Sequence, residues 1–356
     1  MKINFLIPTT GLTGGIKVIF KHADYLAKKG HQVNLIYPYV LRKDAGLKEK
    51  IFGLAKIIRR FLLSLIGKDK IGWFIPDRNV NLLRVWNLAG ENVPPADATL
   101  ATANETADWL LDYSPDKGTK FYFIQDYEIW TRPEEKAEAT YMMPFKKITI
   151  SSYLKDLLEK KFRQSVCGVV FDGVDPEMFL WEEKVFHEKK RILMQYHVLE
   201  KKGFADGWEA CRLVKQKHPE AELVLFGAYR SPRCLAKAAE FHYRPDAKEL
   251  RRLYISADIF VWPSRAEGFG LPPLEAMAGK CAVVCTDTGA VRDYADEKSA
   301  VIVPPHRPEL LAKGINSLLE DGKELMRISE AGYKKSRVFT WEESSRRLEE
   351  LLLRNI

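Results

Sequence analysis

Cysteine is scarce and one-sided in this chain. The five residues, Cys167, Cys211, Cys234, Cys281 and Cys285, are odd in number and form no C-x-x-C pair. That pattern favours buried free thiols in a reducing compartment over a disulfide or metal framework. Long apolar runs are lacking too: nothing approaches the ~20 residues that cross a bilayer. The short run Ile3–Pro8 behind Lys2 reads as a strand, not as the apolar region of a secretory signal. The chain is therefore expected to be cytoplasmic unless something holds it to a membrane from outside. There is no internal repeat, no low-complexity tract and no G-x-G-x-x-G fingerprint. A net charge of +8 suggests a nucleic-acid partner at first sight, but no recognition motif accompanies it, and none is expected.

What is present is a regular alternation of strands and helices. The 356 residues, 46% apolar and 29% charged, suit two soluble domains, each able to bury its own core. Strands are expected at Ile3–Ile7, Val33–Tyr37, Ala98–Ala101, Phe121–Ile124 and Ile148–Ser151. Further strands are expected near Val166–Phe171, Ile192–Tyr196, Leu223–Phe226, Ile259–Trp262, Ala282–Thr286 and Ala300–Val303. Intervening helices include Ile16–Lys29, Phe204–Lys217, Ala247–Ile255, Pro272–Ala278, Pro308–Leu319 and Lys323–Arg337. Such alternation argues for parallel sheets of βαβ units. The charged segment Asp172–Lys190 reads as an interdomain linker.

Residues 262–279, WPSRAEGFGLPPLEAMAG, carry the most chemistry. A short apolar strand stops at Pro263, and Gly268, Phe269 and Gly270 form a turn where a ligand can approach the backbone. Pro272 and Pro273 suit the first turn of a helix. Glu267 meets whatever enters the turn, and Glu275 sits on the helix that follows. The free N–H groups and positive dipole end of that helix favour an anion. Acceptors for hydroxyls beside donors for phosphate describe a site for a sugar nucleotide.

The Glu-x7-Glu pair within EGFGLPPLEAMA resembles the signature of the family 4 retaining glycosyltransferases. Supporting segments run in the expected order: Gly14-Gly15 after the first strand, AKKGHQV, GVDPEMF near mid-chain, KKG, and FTWEE before the last helix. The resemblance implies an α/β protein of the GT-B fold, two Rossmann-like domains facing across a cleft. Residues 1–165 would form the acceptor-side domain and 166–338 the nucleotide-sugar-binding domain. Residues 339–356 would form a helix crossing back to the first, or simply a packing helix of the second. It further implies that Glu267 contacts the donor sugar near the reacting carbon and that Glu275 holds the ribose. Lys202-Gly203 matches the family's phosphate-binding Lys-Gly. Retention of configuration, by front-face attack assisted by the departing phosphate, is implied as well.

One departure stands out: Tyr196-His197 occupies the place of an arginine that the family usually carries before that lysine. His197, if protonated, or Arg230 in the loop GAYRSP would have to replace it; His197 alternatively is only a strand-end histidine. The glycines of the loop Pro8–Ile16, Gly14 and Gly15, would let the backbone reach a phosphate or sugar, or are a plain turn. In YFIQDYEIW, Asp126 could orient the acceptor hydroxyl or the donor sugar; a loop carboxylate capping the next helix is the other reading. No D-x-D triplet occurs, so a metal-free diphosphate site is expected, with no cofactor beyond the nucleoside diphosphate sugar as co-substrate. Partners are then a nucleotide sugar and a glycan or lipid-linked acceptor in cell-surface glycan synthesis. A nucleotide-sugar epimerase or hydrolase of the same fold, or an inactive sugar-nucleotide-binding protein, are the alternatives.

Residues 45–66 form a separate feature. Leu47, Ile51, Leu54, Ile58, Phe61 and Leu65 recur at helical spacing, flanked by Lys48, Lys50, Lys56, Arg59 and Arg60. From Arg42 to Lys70, nine basic and three acidic residues concentrate a net +6. This segment is expected to dock on an anionic membrane surface; an ordinary helix packed on the first domain is the alternative.

Overall fold

The chain folds into two units in a computed structural model that describes residues 1–49, 51–55, 57, 73–74, 76–175, 177, 184–230, 235 and 238–356. One unit comprises Met1–Phe171 with Trp341–Ile356, and the other Asp172–Thr340.

Among the described residues, the first unit holds a parallel sheet of seven strands. They are β1 (Lys2–Leu6), β2 (Gln32–Pro38), β3 (Val80–Val85), β4 (Ala98–Ala101), β5 (Thr119–Ile124), β6 (Lys146–Thr149) and β7 (Val166–Val169). Their order is β3-β2-β1-β4-β5-β6-β7. Strands covered on both faces read as continuous apolar runs, which is why NFLIP, NLIYP and FYFI are legible. An amide ladder pins the register of the first three strands, where the buried Asn4 and Asn34 and the exposed Asn81 stand side by side. Asn34 Nδ2 donates to Asn4 Oδ1 at 2.8 Å and Asn81 Nδ2 to Asn34 Oδ1 at 3.0 Å, while Asn4 Nδ2 donates to the Pro94 carbonyl at 2.8 Å. A one-residue slip would leave the buried amides of Asn4 and Asn34 unpaired.

Val166–Val169 corrects the expected boundary between residues 165 and 166. Rather than opening the second domain, this strand pairs with β6 at the edge of the first sheet. The helix Trp341–Asn355 belongs to the same unit. Its Leu351 lies against Gly168, where an added Cβ would meet Leu351 Cδ1 at 2.8 Å. His22, fully buried in the helix Gly14–Lys28, places Nδ1 2.8 Å from Ser345 Oγ. Burial without a carboxylate pushes its pKa down to about 3.

The second unit has its own parallel sheet. Its strands are β8 (Arg191–Gln195), β9 (Glu222–Gly227), β10 (Glu240–Tyr243), β11 (Ile259–Trp262), β12 (Ala282–Thr286) and β13 (Val301–Val303), ordered β10-β9-β8-β11-β12-β13. Ile192, Leu225, Ile259, Val261, Val284, Leu311 and Ile315 form the centre of its core. Cys211, Cys281 and Cys285 are buried free thiols whose pKa burial raises, to about 12, 11 and 12 respectively; Cys234 lies outside the described residues.

Half of the basic segment 45–66 lies outside the described residues: Lys50, Lys56 and everything from 58 onward, Arg59 and Arg60 included. Of its beginning, residues 47–49 and 51–55 are helical, and Leu47, Ile51, Phe52 and Leu54 are exposed. Among the described residues, no helix is long and apolar enough to cross a membrane.

Candidate active site

The loop after β8 and the loop after β11 are locked together, and that lock sets the position of Lys202. The chain tightens into a 3-10 turn at Glu200–Lys202 and then passes through Gly203 at φ +63°. A Cβ there would lie 1.9 Å from the Pro263 carbonyl oxygen, so neither the angle nor the space admits a side chain. The backbone N–H of Arg265 donates to the Lys201 carbonyl at 2.7 Å. Its guanidinium makes a bidentate pair with Asp206, both distances 2.9 Å, and reaches Glu200 at 2.7 Å. Arg265 thereby ties the strand-end loop to the first turn of the helix Phe204–Lys217.

Held in this way, Lys202 Nζ sits 2.7 and 2.9 Å from the two carboxylate oxygens of Glu267. Glu267 is only 7% exposed and the lysine side chain 22%. Ser264 Oγ donates to Glu267 Oε1 at 2.7 Å, and the ammonium lies 5.5 Å from the centre of the Trp262 ring. A buried carboxylate needs partners of this kind to remain ionised. The arrangement is an ammonium and a carboxylate already in contact, with one face of the lysine still open to solvent.

Gly268, Phe269 and Gly270 are buried in the following turn. Gly270 takes φ +92°, and its carbonyl accepts from the buried Tyr294 hydroxyl at 2.9 Å. The Phe269 ring packs on Tyr294, centroids 5.5 Å apart. The helix Leu271–Ala278 starts here with no side-chain cap. Because Pro272 and Pro273 lack N–H groups, its first turn offers fewer donors than an ordinary helix start, leaving the dipole and the Leu271 and Leu274 amides. Glu275, on that helix, accepts from Tyr254 Oη at 3.2 Å. Burial, and then the neighbouring Glu275 charge, hold the Tyr254 hydroxyl well above its usual pKa, so it stays a donor. The two glutamates of the pair thus have different partners.

The other expected residues fare unevenly. Burial, with Lys202 and Lys201 nearby, lowers His197 to about 4. It accepts the Leu199 N–H through Nδ1 at 3.0 Å, an arrangement that favours the strand-end reading over the protonated one. Arg230 lies 5.9 Å from the centre of the Tyr243 ring, where Arg244 also stacks at 5.2 Å. In the first unit, Gly14 and Gly15 are the first residues of a helix capped by Thr13 Oγ1, not loop residues as expected. A Cβ on Gly14 would meet nothing within 4 Å, and one on Gly15 would lie 3.2 Å from Gln125 Oε1. Gln125 Oε1 is buried without a hydrogen-bond partner among the described residues. Asp126 Oδ1 accepts the Tyr127 N–H at 2.8 Å. Two residues on, Glu128 accepts at 3.0 Å the N–H of Asn104, the first residue of the helix Asn104–Leu110, which precedes this segment in the chain.

Sequence reasoning passed over Ser264, Arg265, Tyr254 and Tyr294. Ser264 and Arg265 stood inside the diagnostic string, and a hydroxyl three residues before a buried glutamate is a recognisable signal. Tyr254 and Tyr294 had none, since only the tertiary fold brings them to the turn.

Residues 177–335 match the family model described as glycosyl transferases group 1. An uncharacterized glycosyltransferase of Methanocaldococcus jannaschii is 29% identical over 198 residues, 49% of this chain and 50% of that protein. The N,N'-diacetylbacillosaminyl-diphospho-undecaprenol alpha-1,3-N-acetylgalactosaminyltransferase of Campylobacter jejuni is 31% identical over 153 residues, 41% of this chain and 40% of that one. The chain thus spans about half the length, or less, of these curated relatives. Two solved structures align along nearly its whole length: sucrose-phosphate synthase from Thermosynechococcus elongatus and Anabaena HepE in complex with UDP-glucose. The first has a TM-score of 0.73 at 15% identity, covering 99% of this chain and 98% of that one. The second has a TM-score of 0.70 at 16% identity, covering 99% and 100%. The fold is GT-B. The Lys202–Glu267 pair, the turn and Glu275 all fall inside the segment that matches the group 1 glycosyltransferases.

Proposed function

We propose that the chain is a retaining glycosyltransferase that moves a sugar from a nucleoside diphosphate sugar to a glycan or lipid-linked acceptor without a divalent metal. The observation that carries this reading is the Lys202–Glu267 contact at 2.7 Å, made by residues 65 positions apart within the matched segment. Glycosyl transfer breaks the bond from the anomeric carbon to the diphosphate, with negative charge growing on the leaving oxygen. An ammonium and a helix dipole aimed at that oxygen lower the barrier, the electrostatic contribution that is usually largest. Glu267, once it shares or yields Lys202, accepts from sugar hydroxyls beside the reacting carbon, and Glu275 accepts from the ribose. The acceptor oxygen then bonds to the anomeric carbon on the same face, and its proton passes to the departing phosphate. Lys202 is then the principal cation of the donor site.

The acceptor class is supported by relatives that act on lipid-linked glycans and by exposed Leu47, Ile51 and Phe52 at the start of the basic segment. Residues 45–66 are proposed to hold the enzyme peripherally on the inner, anionic face of a membrane. The test is a thermal-shift panel of UDP-, GDP- and dTDP-sugars on the wild type and Lys202→Ala. A true donor stabilises the native protein by RT ln(1 + [L]/Kd). One donor class should stand out, and its shift should shrink in the variant. Equal, negligible shifts for all of them sink the proposal.

A further inference from the structure

A cavity of about 640 Å³ in the first unit lies at the carboxyl ends of β1, β2 and β3, the side of an open α/β sheet where ligands bind. Its floor is built by register. Arg84 on β3 stands directly beside Tyr37 on β2, and Tyr39 follows two residues on, on the same face. The Arg84 guanidinium lies 4.7 Å from the Tyr37 ring centre and 5.3 Å from that of Tyr39, and Nη2 donates to Tyr37 Oη at 2.9 Å. Two carboxylates, Glu49 and Glu105, also line the cavity. Both act on Arg42, which in addition pairs with Asp44 at 3.0 Å. Arg84 is left with aromatic partners and no carboxylate partner among the described residues. A guanidinium laid over aromatic faces keeps an edge of its fork for a planar or tetrahedral anion, and arginine pairs bidentately with phosphate. Tyrosine faces suit the C–H side of a pyranose ring. Phe52 lines one side of the cavity, and the next residue, Gly53, packs on the segments that follow β2 and β3, where a Cβ would meet Val40 Cγ2 at 2.8 Å.

We infer that this cavity recognises a phosphorylated saccharide, with Arg84 as the residue that reads the phosphate. The inference rests on the glycosyltransferase reading and names its acceptor as a sugar bearing phosphate, free or in diphosphate linkage to a lipid. The experiment is calorimetric titration with glucose 1-phosphate, galactose 1-phosphate and mannose 1-phosphate, against the parent hexoses and inorganic phosphate. Lys202→Ala serves to silence the proposed donor site. At least one hexose 1-phosphate should bind Lys202→Ala as well as wild type, and better than hexose or phosphate alone. Arg84→Met should weaken that binding by roughly 10- to 100-fold, as expected for a lost charge-assisted contact, and Arg84→Lys should recover part of it. Thermal unfolding of both variants should stay near wild type, since Arg84 is half-exposed at a strand end. A farnesyl-diphospho-sugar that outcompetes the free sugar phosphate assigns the anion to a lipid-linked acceptor; the reverse order assigns it to a free one. If no hexose 1-phosphate binds Lys202→Ala, or if Arg84→Met binds as tightly as wild type, the inference fails. Should nucleoside diphosphate binding to wild type persist in that case, the donor-site reading stands alone.

Discussion

Replacing Glu267 with glutamine is expected to separate binding from turnover in opposite directions. In the protein as it stands, Lys202 is held by two contacts to a carboxylate that is 7% exposed, so a diphosphate must compete for the ammonium. Glutamine keeps a hydrogen-bond acceptor for Ser264 Oγ but removes the charge that holds Lys202 and repels phosphate. A charge-assisted contact of this kind is worth about 1.5–3 kcal/mol, and part of it is recovered by hydration because the lysine is 22% exposed. The remainder, about 1–2 kcal/mol, should appear as roughly 5- to 30-fold tighter binding of the free nucleoside diphosphate. Turnover should fall by about 100-fold or more, since the group that orients the sugar hydroxyls in the transition state is weakened. Calorimetry of wild type, Glu267→Gln, Lys202→Met and the double variant closes a cycle. In the lysine-free background the gain should shrink to what the lost repulsion alone supplies. Weaker nucleotide binding in Glu267→Gln, with Lys202 present, would refute the competition argument.

Three further outcomes follow from the packing. Gly203→Ala places a methyl group against the Pro263 carbonyl, 1.9 Å away at an unrelaxed Cβ, and should lose about 3 kcal/mol or more in denaturant unfolding together with nucleoside diphosphate binding; a variant with wild-type stability contradicts the lock between the two loops. Asn34→Ala should cost about 1–3 kcal/mol by leaving the buried Asn4 amide oxygen without its donor, read from the urea midpoint at constant slope; a cost below a few tenths says the ladder is not needed. His22 has a folded pKa near 3 against an ordinary 6.5, so the unfolded chain binds the extra proton. Its contribution is fully present above pH 6.5 and is lost as pH falls from there toward 3, by up to about 1.4 kcal/mol per pH unit. His22→Gln should therefore flatten the pH dependence of unfolding, and parallel curves for the two proteins would contradict it.

The strands flanking the site were legible because parallel, doubly covered strands are apolar throughout, as in DIFVW and CAVVCT. Two edge strands were not: Val80–Val85 carries Asn81 and Arg84, and Glu240–Tyr243 carries Glu240 and His242. Their polar residues serve the amide ladder and the surface and blur the pattern that marks a strand. The boundary at 166 was misplaced because β7 is as short and apolar as a strand opening a new sheet, and only its pairing with β6 tells them apart. Lys202 and Glu267 were readable as separate motifs, while their contact depends on Gly203 and Arg265, whose roles are visible only once two loops meet. The sequence left His197 open between a cation and a strand-end histidine, because its burial is a tertiary fact.

The most direct test of the central claim is sugar transfer itself. Purified protein, the donor selected by thermal shift and an acceptor fraction extracted from membranes should yield acceptor-dependent product. The account predicts transfer that persists in EDTA, retains the anomeric configuration of the donor by NMR, and is abolished by Lys202→Ala. Sugar released or isomerised at the same rate without acceptor would instead make the protein an epimerase or hydrolase. No turnover of any donor by a protein that still binds one would make it a sugar-nucleotide-binding protein.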